Sequence, residues 1–290
     1  MTILGNIKEY TKELKEQFKV RAAAFDVAPK LLIIQVGNVE ASNRYIKNKV
    51  KDCEEVGITA HVYQYPEDIT EQELCEAIGL DQPHYDGVIV QLPLPPHISE
   101  KAVVAAIDVD KDVDGFHPDS PFDPATPGGI MMYLKACGFD LAGKDVTIIG
   151  RSNIVGKPLA KLMTDADATV TLCHSKSKLS KHIYNCDLLV TAVGKAGFLN
   201  CYPLHMPIID VGINFDENGK LCGDCFNTEG RNVTPVPGGV GLLTRCALLE
   251  NTIRAKEMKA LPCERSENAQ CSMLCSFYEG GCTNATKRMD

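Results

Sequence analysis

Hydrophobic residues recur along the chain in two alternating patterns, short continuous or alternating runs and longer stretches at helical spacing. The short runs predict strands at residues 31–36, 60–65, 86–91, 145–150, 168–173, 187–193 and 206–212. The stretches between and after them predict helices over residues 41–57, 70–80, 129–139, from about Val155 and over 239–255. Because neighbouring parallel strands need a crossover between them, this order predicts parallel sheets covered by helices, an α/β fold.

A segment rich in proline, glycine and aspartate, residues 117–129, interrupts the alternation. The chain of 290 residues is long for one domain, so we predict two α/β domains with a cleft between them. The expected boundaries are residues 1–120, completed by a helix at about 240–255, and 121–239. Residues 256–290 form a tail of different composition.

Composition and charge narrow the class of protein. The chain is 44% hydrophobic and 23% charged, which is typical of a soluble globular protein. A formal charge of -8 argues against a nucleic-acid partner, because phosphate binding requires a basic face. Neither a signal peptide nor an apolar run of membrane-spanning length is visible, so we expect a cytoplasmic protein with no membrane partner.

Cysteine is frequent, with 13 residues in the chain. Their odd number and the lack of an export signal favour reduced thiols. Cys222 and Cys225 form a Cys-x-x-Cys pair, and the tail contains Cys263, Cys271, Cys275 and Cys282. A zinc or iron-sulfur site is conceivable, but the spacing matches no standard ligand pattern, so we predict no metal.

The sequence TIIGRSNIVGKP (147–158) joins a predicted strand to a predicted helix through Gly150 and Gly156. Such a turn can hold a pyrophosphate at a helix N-terminus. Ser152 replaces the middle glycine of the usual fingerprint, so this pattern alone leaves open a plain tight turn. The next strand ends in His174, Ser175 and Lys176 without a carboxylate, which with Arg151 favours the extra phosphate of NADP over the ribose hydroxyl of NAD.

Candidate catalytic groups lie in the first domain. Tyr45 and Lys49 share one face of a predicted helix, and Gln91 follows a buried strand. A surface pair is the usual interpretation of Tyr-x-x-x-Lys. Asp112 and Asp114 lie beside Gly115, where either carboxylate could simply cap a turn.

Five motifs occur together in this chain: YIKNK, DGVIVQLPLPPHI, KDVDGFHP, GRSNIVGKP and TPVPGGVG. In order and spacing they resemble the bifunctional methylenetetrahydrofolate dehydrogenase/cyclohydrolase family, over about residues 30–255. The resemblance implies NADP-dependent oxidation of 5,10-methylenetetrahydrofolate to the methenyl compound, then hydrolysis to 10-formyltetrahydrofolate at the same site. It also implies a homodimer formed through the cofactor domain.

The resemblance also implies roles for individual residues. Lys49 would be the catalytic group, Tyr45 would stack on the folate, Gln91 would tune Lys49, and Asp114 would anchor the pterin ring. The remaining substrate contacts would be Leu92, Pro237, Gly238 and Gly241. The cofactor contacts would be Gly150, Arg151, Ser152, His174, Ser175, Ile213 and Thr244.

Hydride removal leaves a cation on the folate, which favours a neutral Lys49 in the site. Three alternatives remain open at this point: a dehydrogenase without cyclohydrolase activity, a dehydrogenase for another small molecule, and a nucleotide sensor. Leu242 stands where the family usually has proline, which could alter the start of the final helix.

Overall fold

The computed structural model of the chain describes residues 5–200, 202, 205–225 and 232–260. Its first half contains, in chain order, α1 (Ile7–Ala23), β1 (Lys30–Val36), α2 (Glu40–Val56), β2 (Thr59–Tyr65), α3 (Glu71–Asp81), β3 (Gly87–Val90) and α4 (Glu100–Ala106). The strands form a parallel sheet in the order β2-β1-β3, with Ile34 opposite Tyr63 on one side and Val90 on the other. The continuous apolar run of β1 is fully buried because this strand is central.

Local signals set the ends of these helices. The Asn6 side chain accepts hydrogen bonds at the start of α1, and Ser99 does so at the start of α4. Thr70 and Glu73 form a reciprocal capping box at the start of α3. Helix α2 ends at Gly57, whose φ of 84° is the left-handed conformation that glycine adopts without steric cost.

The second half contains α5 (Ala125–Ala136), β4 (Asp145–Ile149), α6 (Gly156–Asp165), β5 (Thr169–Cys173), β6 (Leu188–Thr191), β7 (Ile208–Asp210), β8 (Asn214–Phe215), β9 (Leu221–Cys222) and α7 (Val240–Ala260). Strands β4 to β7 form a second parallel sheet in the order β5-β4-β6-β7, and β8 pairs with β9 in an antiparallel hairpin. Numbered within this sheet the order is 2-1-3-4, a doubly wound arrangement in which the strand order reverses between β4 and β6. The predicted two-domain α/β fold is confirmed.

The predicted connecting segment 117–129 is too long, since α5 begins at Ala125. Pro127 lies in the first turn of this helix, where a missing N–H costs no helical hydrogen bond. Gly129 serves close helix packing: a Cβ there would lie 2.5 Å from the carbonyl oxygen of Leu243 in α7. Proline and glycine were thus wrong indicators of a loop at these positions.

Among the described residues four hydrophobic clusters pack on the two sheets, two on each sheet, and α7 contributes to one cluster per sheet, the first and the second core. Leu249 and Ile253 pack in the first core with Ile33 of β1, whereas Leu243 packs in the second core with Ile148 of β4. The assignment of α7 to the first domain therefore stays a prediction. In the part of the chain that the structure describes, no helix combines the length and apolar character needed to cross a bilayer.

Candidate active site

Helix α2 presents Tyr45 and Lys49 at the border between core and solvent. Ile46 and Cys53 of the same helix are buried in the first core. Tyr45, one turn before Lys49, keeps 38% of its surface exposed, and burial of the rest raises the pKa of its phenol. An aromatic face and an amine are therefore available side by side.

A short chain of amides fixes the start of α2. The buried Gln35 at the end of β1 donates through Nε2 to Oδ1 of Asn43 at 2.7 Å, and Asn43 donates to Oδ1 of Asn38 at 2.7 Å. These bonds tie the first turn of α2 to the carboxyl end of β1. No sequence motif indicated them, because amide pairs of this kind have no characteristic spacing.

Gln91 lies at the same edge of the sheet. Its backbone N–H donates to Ile34 O at 2.8 Å, and its Nε2 donates to Leu92 O at 2.8 Å. Its Oε1 is buried and has no hydrogen-bond partner among the described residues. Since buried polar atoms are nearly always paired, this acceptor indicates a group that binds here.

The two aspartates of the next loop differ in their contacts. Asp112 is 1% exposed and accepts the N–H of His117 at 2.6 Å, so it caps this turn; burial raises its pKa to about 6. The carboxylate of Asp114 makes no hydrogen bond within the described part of the chain. Burial raises its pKa, and the nearby Lys49 ammonium opposes that rise. Turn capping thus accounts for Asp112, whereas the Asp114 carboxyl group has no such bond among the described residues and lies within electrostatic range of Lys49.

Gly115 allows this loop to close behind Asp114. Its φ is 69°, and a Cβ would lie 2.7 Å from Phe122 O and from Pro124 N. A side chain at this position would therefore clash with the backbone of residues 122–124, where the loop folds back.

Helix α7 holds both segments that carry these side chains. The buried Asn251 donates through Nδ2 to Val113 O at 2.9 Å and to Asp123 O at 3.0 Å, at the two ends of the Asp114 loop. Arg245 pairs at 2.8 Å with Asp52 of α2, which is buried and also pairs with Lys15 at 2.6 Å. Neither Asn251 nor Asp52 was predicted from the sequence, because their partners are far apart along the chain.

The predicted folate contacts of the motif PVPGGVG lie at the start of α7. Gly238 has a φ of 96°, Gly241 faces open space, and the Val236–Pro237 peptide bond is cis, as is Leu92–Pro93. The N–H of Leu242 donates to Gly239 O at 2.9 Å, a bond that proline could not make. Thr244, a predicted cofactor contact, bonds through its hydroxyl to that of Thr126 at 3.0 Å.

The glycine turn between β4 and α6 fits a pyrophosphate. Gly150 has a φ of 121°, and a Cβ there would lie 2.4 Å from Ala192 O; a Cβ on Gly156 would lie 2.0 Å from Gly150 O. The Ser152 hydroxyl accepts the N–H groups of Val155 and Gly156 at 3.2 and 3.4 Å. In the position of the missing middle glycine, Ser152 therefore bonds the N–H groups of Val155, which precedes α6, and of Gly156, its first residue.

Basic and hydroxyl groups follow the neighbouring strand β5. The Nδ1 of His174 accepts the N–H of Lys176 at 3.2 Å, which leaves the ring's Nε2 to donate outward. Ser175, Lys176 and Arg151 are exposed. No carboxylate occurs in residues 172–178. Donors without an acidic neighbour suit the 2′-phosphate of NADP, so the residues present fit this cofactor.

The Cys-x-x-Cys pair has no metal geometry. Cys222 and Cys225 are buried, and no group of three possible ligands occurs among the described residues. Burial raises the pKa of the Cys222 thiol, as expected for a core cysteine. The tail cysteines Cys263, Cys271, Cys275 and Cys282 lie outside the described residues.

The fold and site together define a two-domain α/β enzyme in which a dinucleotide-binding domain adjoins a domain bearing a Tyr–Lys–Gln–Asp set. Two family profiles match the chain: "Tetrahydrofolate dehydrogenase/cyclohydrolase, catalytic domain" over residues 6–114 and "Tetrahydrofolate dehydrogenase/cyclohydrolase, NAD(P)-binding domain" over residues 124–260. The chain therefore belongs to the tetrahydrofolate dehydrogenase/cyclohydrolase family.

Named relatives agree over nearly their full lengths. The bifunctional protein FolD of Bacillus velezensis is 43% identical over 269 residues, which covers 86% of this chain and 95% of that protein. The FolD structure from Campylobacter jejuni is 40% identical with a TM-score of 0.84, covering 88% of this chain and 98% of that one. The Trypanosoma brucei enzyme, complexed with NADP and an inhibitor, is 28% identical with a TM-score of 0.82, covering 89% and 98%.

The resemblance stated from the motifs is thus confirmed. The protein is an oxidoreductase and a hydrolase that acts on one-carbon derivatives of tetrahydrofolate, and NADP is its cofactor. Neither a monofunctional dehydrogenase nor a nucleotide sensor is favoured by any of these matches.

Proposed function

We propose that Tyr45, Lys49, Gln91 and Asp114 form one site for both reactions, oxidation of 5,10-methylenetetrahydrofolate and hydrolysis of the methenyl product to 10-formyltetrahydrofolate. The observation that carries this proposal is the buried Oε1 of Gln91 at the sheet edge, which has no hydrogen-bond partner among the described residues. The carboxyl group of Asp114, which comes from a separate segment of the chain, lies within electrostatic range of Lys49. A carboxyl group whose pKa is raised by burial, close to an amine, is typical of catalytic sites.

Asp114 binds and orients the substrate. Its carboxylate has no hydrogen bond of its own in the described part of the chain, so it can accept the adjacent N–H groups of a pterin ring in a charge-assisted pair. Tyr45 offers a partly exposed ring against which the flat pterin packs. The turn at Gly238 and the open position at Gly241 line the remaining wall.

For the oxidation, the chain supplies position rather than chemistry. NADP, when bound, supplies the hydride acceptor. The glycine turn at Gly150 and the groups at Arg151 and Ser175 hold its phosphates. The folate residues hold the one-carbon bridge in place, and such orientation accounts for much of the rate in reactions of this kind.

For the hydrolysis, Lys49 accepts a proton from water. The water oxygen bonds to the methenyl carbon and one water proton passes to the neutral amine, which gives a neutral carbinolamine. When its C–N5 bond breaks, the electron pair returns to N5, which takes up a proton, and the hydroxyl group loses its proton to form the formyl C=O. The formyl group remains on N10. Gln91 Oε1 accepts an N–H of the lysine and so orients its lone pair.

Replacing the amine tests these roles. Lys49→Met should bind folate but release formyl product at least about 100-fold more slowly, the usual contribution of a proton-transfer group. Loss of the methenyl chromophore measures the rate, and fluorescence titration measures folate binding. Lys47→Met is the matched control, because Lys47 is exposed on the same helix. Hydrolysis by Lys49→Met at the parent rate would falsify the proposal.

We further propose that the protein is a cytoplasmic homodimer that binds neither nucleic acid nor membrane. The dimer is what membership of the family implies. The net charge of -8 supports the lack of a nucleic-acid partner. Light scattering after size-exclusion chromatography tests the dimer, and a monomer at micromolar concentration would overturn it.

A further inference from the structure

Two buried carboxylates lie at the carboxyl ends of β6 and β7, a region in which the family resemblance implies one cofactor contact, Ile213. Asp210 is the last residue of β7, and Asp224 lies inside the Cys222–Cys225 motif. They are 1% and 0% exposed. Burying two neighbouring carboxylates costs free energy unless hydrogen bonds compensate each of them. The hydrogen bonds of Asp210 and Asp224 therefore indicate what the two residues do.

Asp224 joins the segment after β6 to the segment after β7. Its Oδ2 accepts the Thr191 hydroxyl and the Val193 N–H, both at 2.8 Å. Its Oδ1 accepts the Lys195 N–H at 2.9 Å and the Asn214 side-chain amide at 3.1 Å. One carboxylate therefore fixes the geometry of both segments.

Asp210 holds Asp224 in turn. Its carboxylate accepts the N–H groups of Asp224 at 3.1 Å, Cys225 at 2.8 Å and Gly212 at 2.9 Å. Gly223 allows this approach, since a Cβ there would lie 2.1 Å from an oxygen of Asp210. The Cys-x-x-Cys motif thus contributes its aspartate and glycine, and its thiols are core residues.

The position of this network along the sheet points to the reacting end of the cofactor. The groups suited to the 2′-phosphate follow β5, and the pyrophosphate turn follows β4. From β5 to β4 the cofactor would run from its 2′-phosphate to its pyrophosphate. If it continues in this direction, its nicotinamide end lies beyond β6 and β7. Ile213, 47% exposed, lies there between Gly212 and Asn214, which Asp210 and Asp224 hold.

We propose that Asp224 is a positioning residue for hydride transfer: it fixes the segments around Val193 and Ile213 on which the nicotinamide ring lies. This inference rests on the proposed function, because it requires one folate site that serves two reactions. Oxidation needs the nicotinamide ring and hydrolysis does not. Misplacement of reacting atoms by about 1 Å can cost on the order of 100-fold in rate, so only the oxidation depends on Asp224.

Asp224→Asn is the direct test, because it preserves shape but replaces one acceptor oxygen with an N–H donor that faces other donors. The dehydrogenase kcat should fall about 10- to 100-fold. Cyclohydrolase activity without NADP and affinity for adenosine 2′,5′-bisphosphate, which lacks nicotinamide, should both stay within about twofold, because neither depends on the displaced segments. The control Asp216→Asn changes an exposed turn-capping carboxylate on the neighbouring hairpin and should alter none of these values.

Thr191 provides a second test that leaves Asp224 in place. Thr191→Val should lower the dehydrogenase kcat about threefold or more, and Thr191→Ser, which restores the hydroxyl, should recover it. If Asp224→Asn does not fold, Thr191→Val and Thr191→Ser still test whether Asp224 positions the cofactor segments. A parent protein that lacks either activity would overturn the proposed function. If the parent protein has both activities, the proposed function stands. Variants that then lose both activities in equal proportion, or lose neither, would overturn only the role of Asp224.

Discussion

Replacing Asn251 would test how the Asp114 loop is held. This side chain of α7 is buried and donates from one nitrogen to Val113 O at 2.9 Å and Asp123 O at 3.0 Å. In Asn251→Leu both carbonyl oxygens lose their donor while the volume of the side chain is nearly kept. Because Asp114 lies between the two anchored carbonyls, loss of the donor should affect both stability and folate binding.

The magnitude follows from the burial of the two bonds. A buried carbonyl left without a partner costs about 1–3 kcal/mol, and the bond to Val113 O is fully buried. The bond to Asp123 O is only partly buried, so water can replace some of it at a cost of about 0.5–1 kcal/mol. The free energy of unfolding should therefore fall by about 1.5–4 kcal/mol.

Two measurements follow the loop. Urea unfolding monitored by circular dichroism gives the stability change, and steady-state kinetics gives KM for methylenetetrahydrofolate and for NADP. We expect the folate KM to rise about tenfold and the NADP KM to stay constant, since in the proposed site Asp114 contacts only the folate. Substrate saturation should recover most of the rate.

The neighbouring Thr252 provides the matched control. It is equally buried on α7, but its hydroxyl bonds only to Leu248 O of the same helix at 2.8 Å. Thr252→Val should therefore leave the folate KM unchanged. An Asn251→Leu protein that loses stability yet keeps the parental folate KM would refute the claim that α7 positions Asp114.

Two further predictions concern pH and cofactor choice. Burial raises the pKa of Asp112 to about 6, so its neutral form stabilises the fold at low pH and this stability is lost as pH rises through that value. In the parent protein the free energy of unfolding should fall between about pH 5 and pH 7, and in Asp112→Asn this fall should be about 1 kcal/mol smaller. Urea unfolding at each pH measures both values, and an equal fall in the two proteins would contradict the prediction. Arg151→Ala should raise KM for NADP about tenfold and leave KM for NAD unchanged in parallel assays, because the guanidinium binds the extra phosphate. An equal rise for both cofactors would instead place Arg151 on the pyrophosphate.

Most of the strands and helices could be predicted from local patterns. The apolar run of β1 and the Thr70–Glu73 capping box each act within a few residues, so the residues that define them are adjacent in the sequence. The start of α5 could not be read in this way. Gly128 and Gly129 look like loop residues, and for Gly129 the explanation is the neighbouring backbone of Leu243 in α7.

The candidate site divides in the same manner. The spacing of Tyr45 and Lys49 follows from helix periodicity, and the motif resemblance supplied Gln91 and Asp114. The sequence could not show which aspartate caps the turn. Asp112 and Asp114 are the same residue type in the same motif, and only their neighbours in the folded chain differ. Asp112 is enclosed by backbone N–H groups, whereas Asp114 lies within reach of the Lys49 charge.

By itself the sequence determined the alternation of strands and helices, the parallel sheets and the identity of the groups that carry the chemistry. These depend on periodicity and on motifs confined to short segments. Only the tertiary structure decided that Asn251 anchors the Asp114 loop and that Asp224 joins the segments after β6 and β7. Those contacts form between residues distant along the chain, and hydrogen bonds of that kind leave no periodic trace in a sequence.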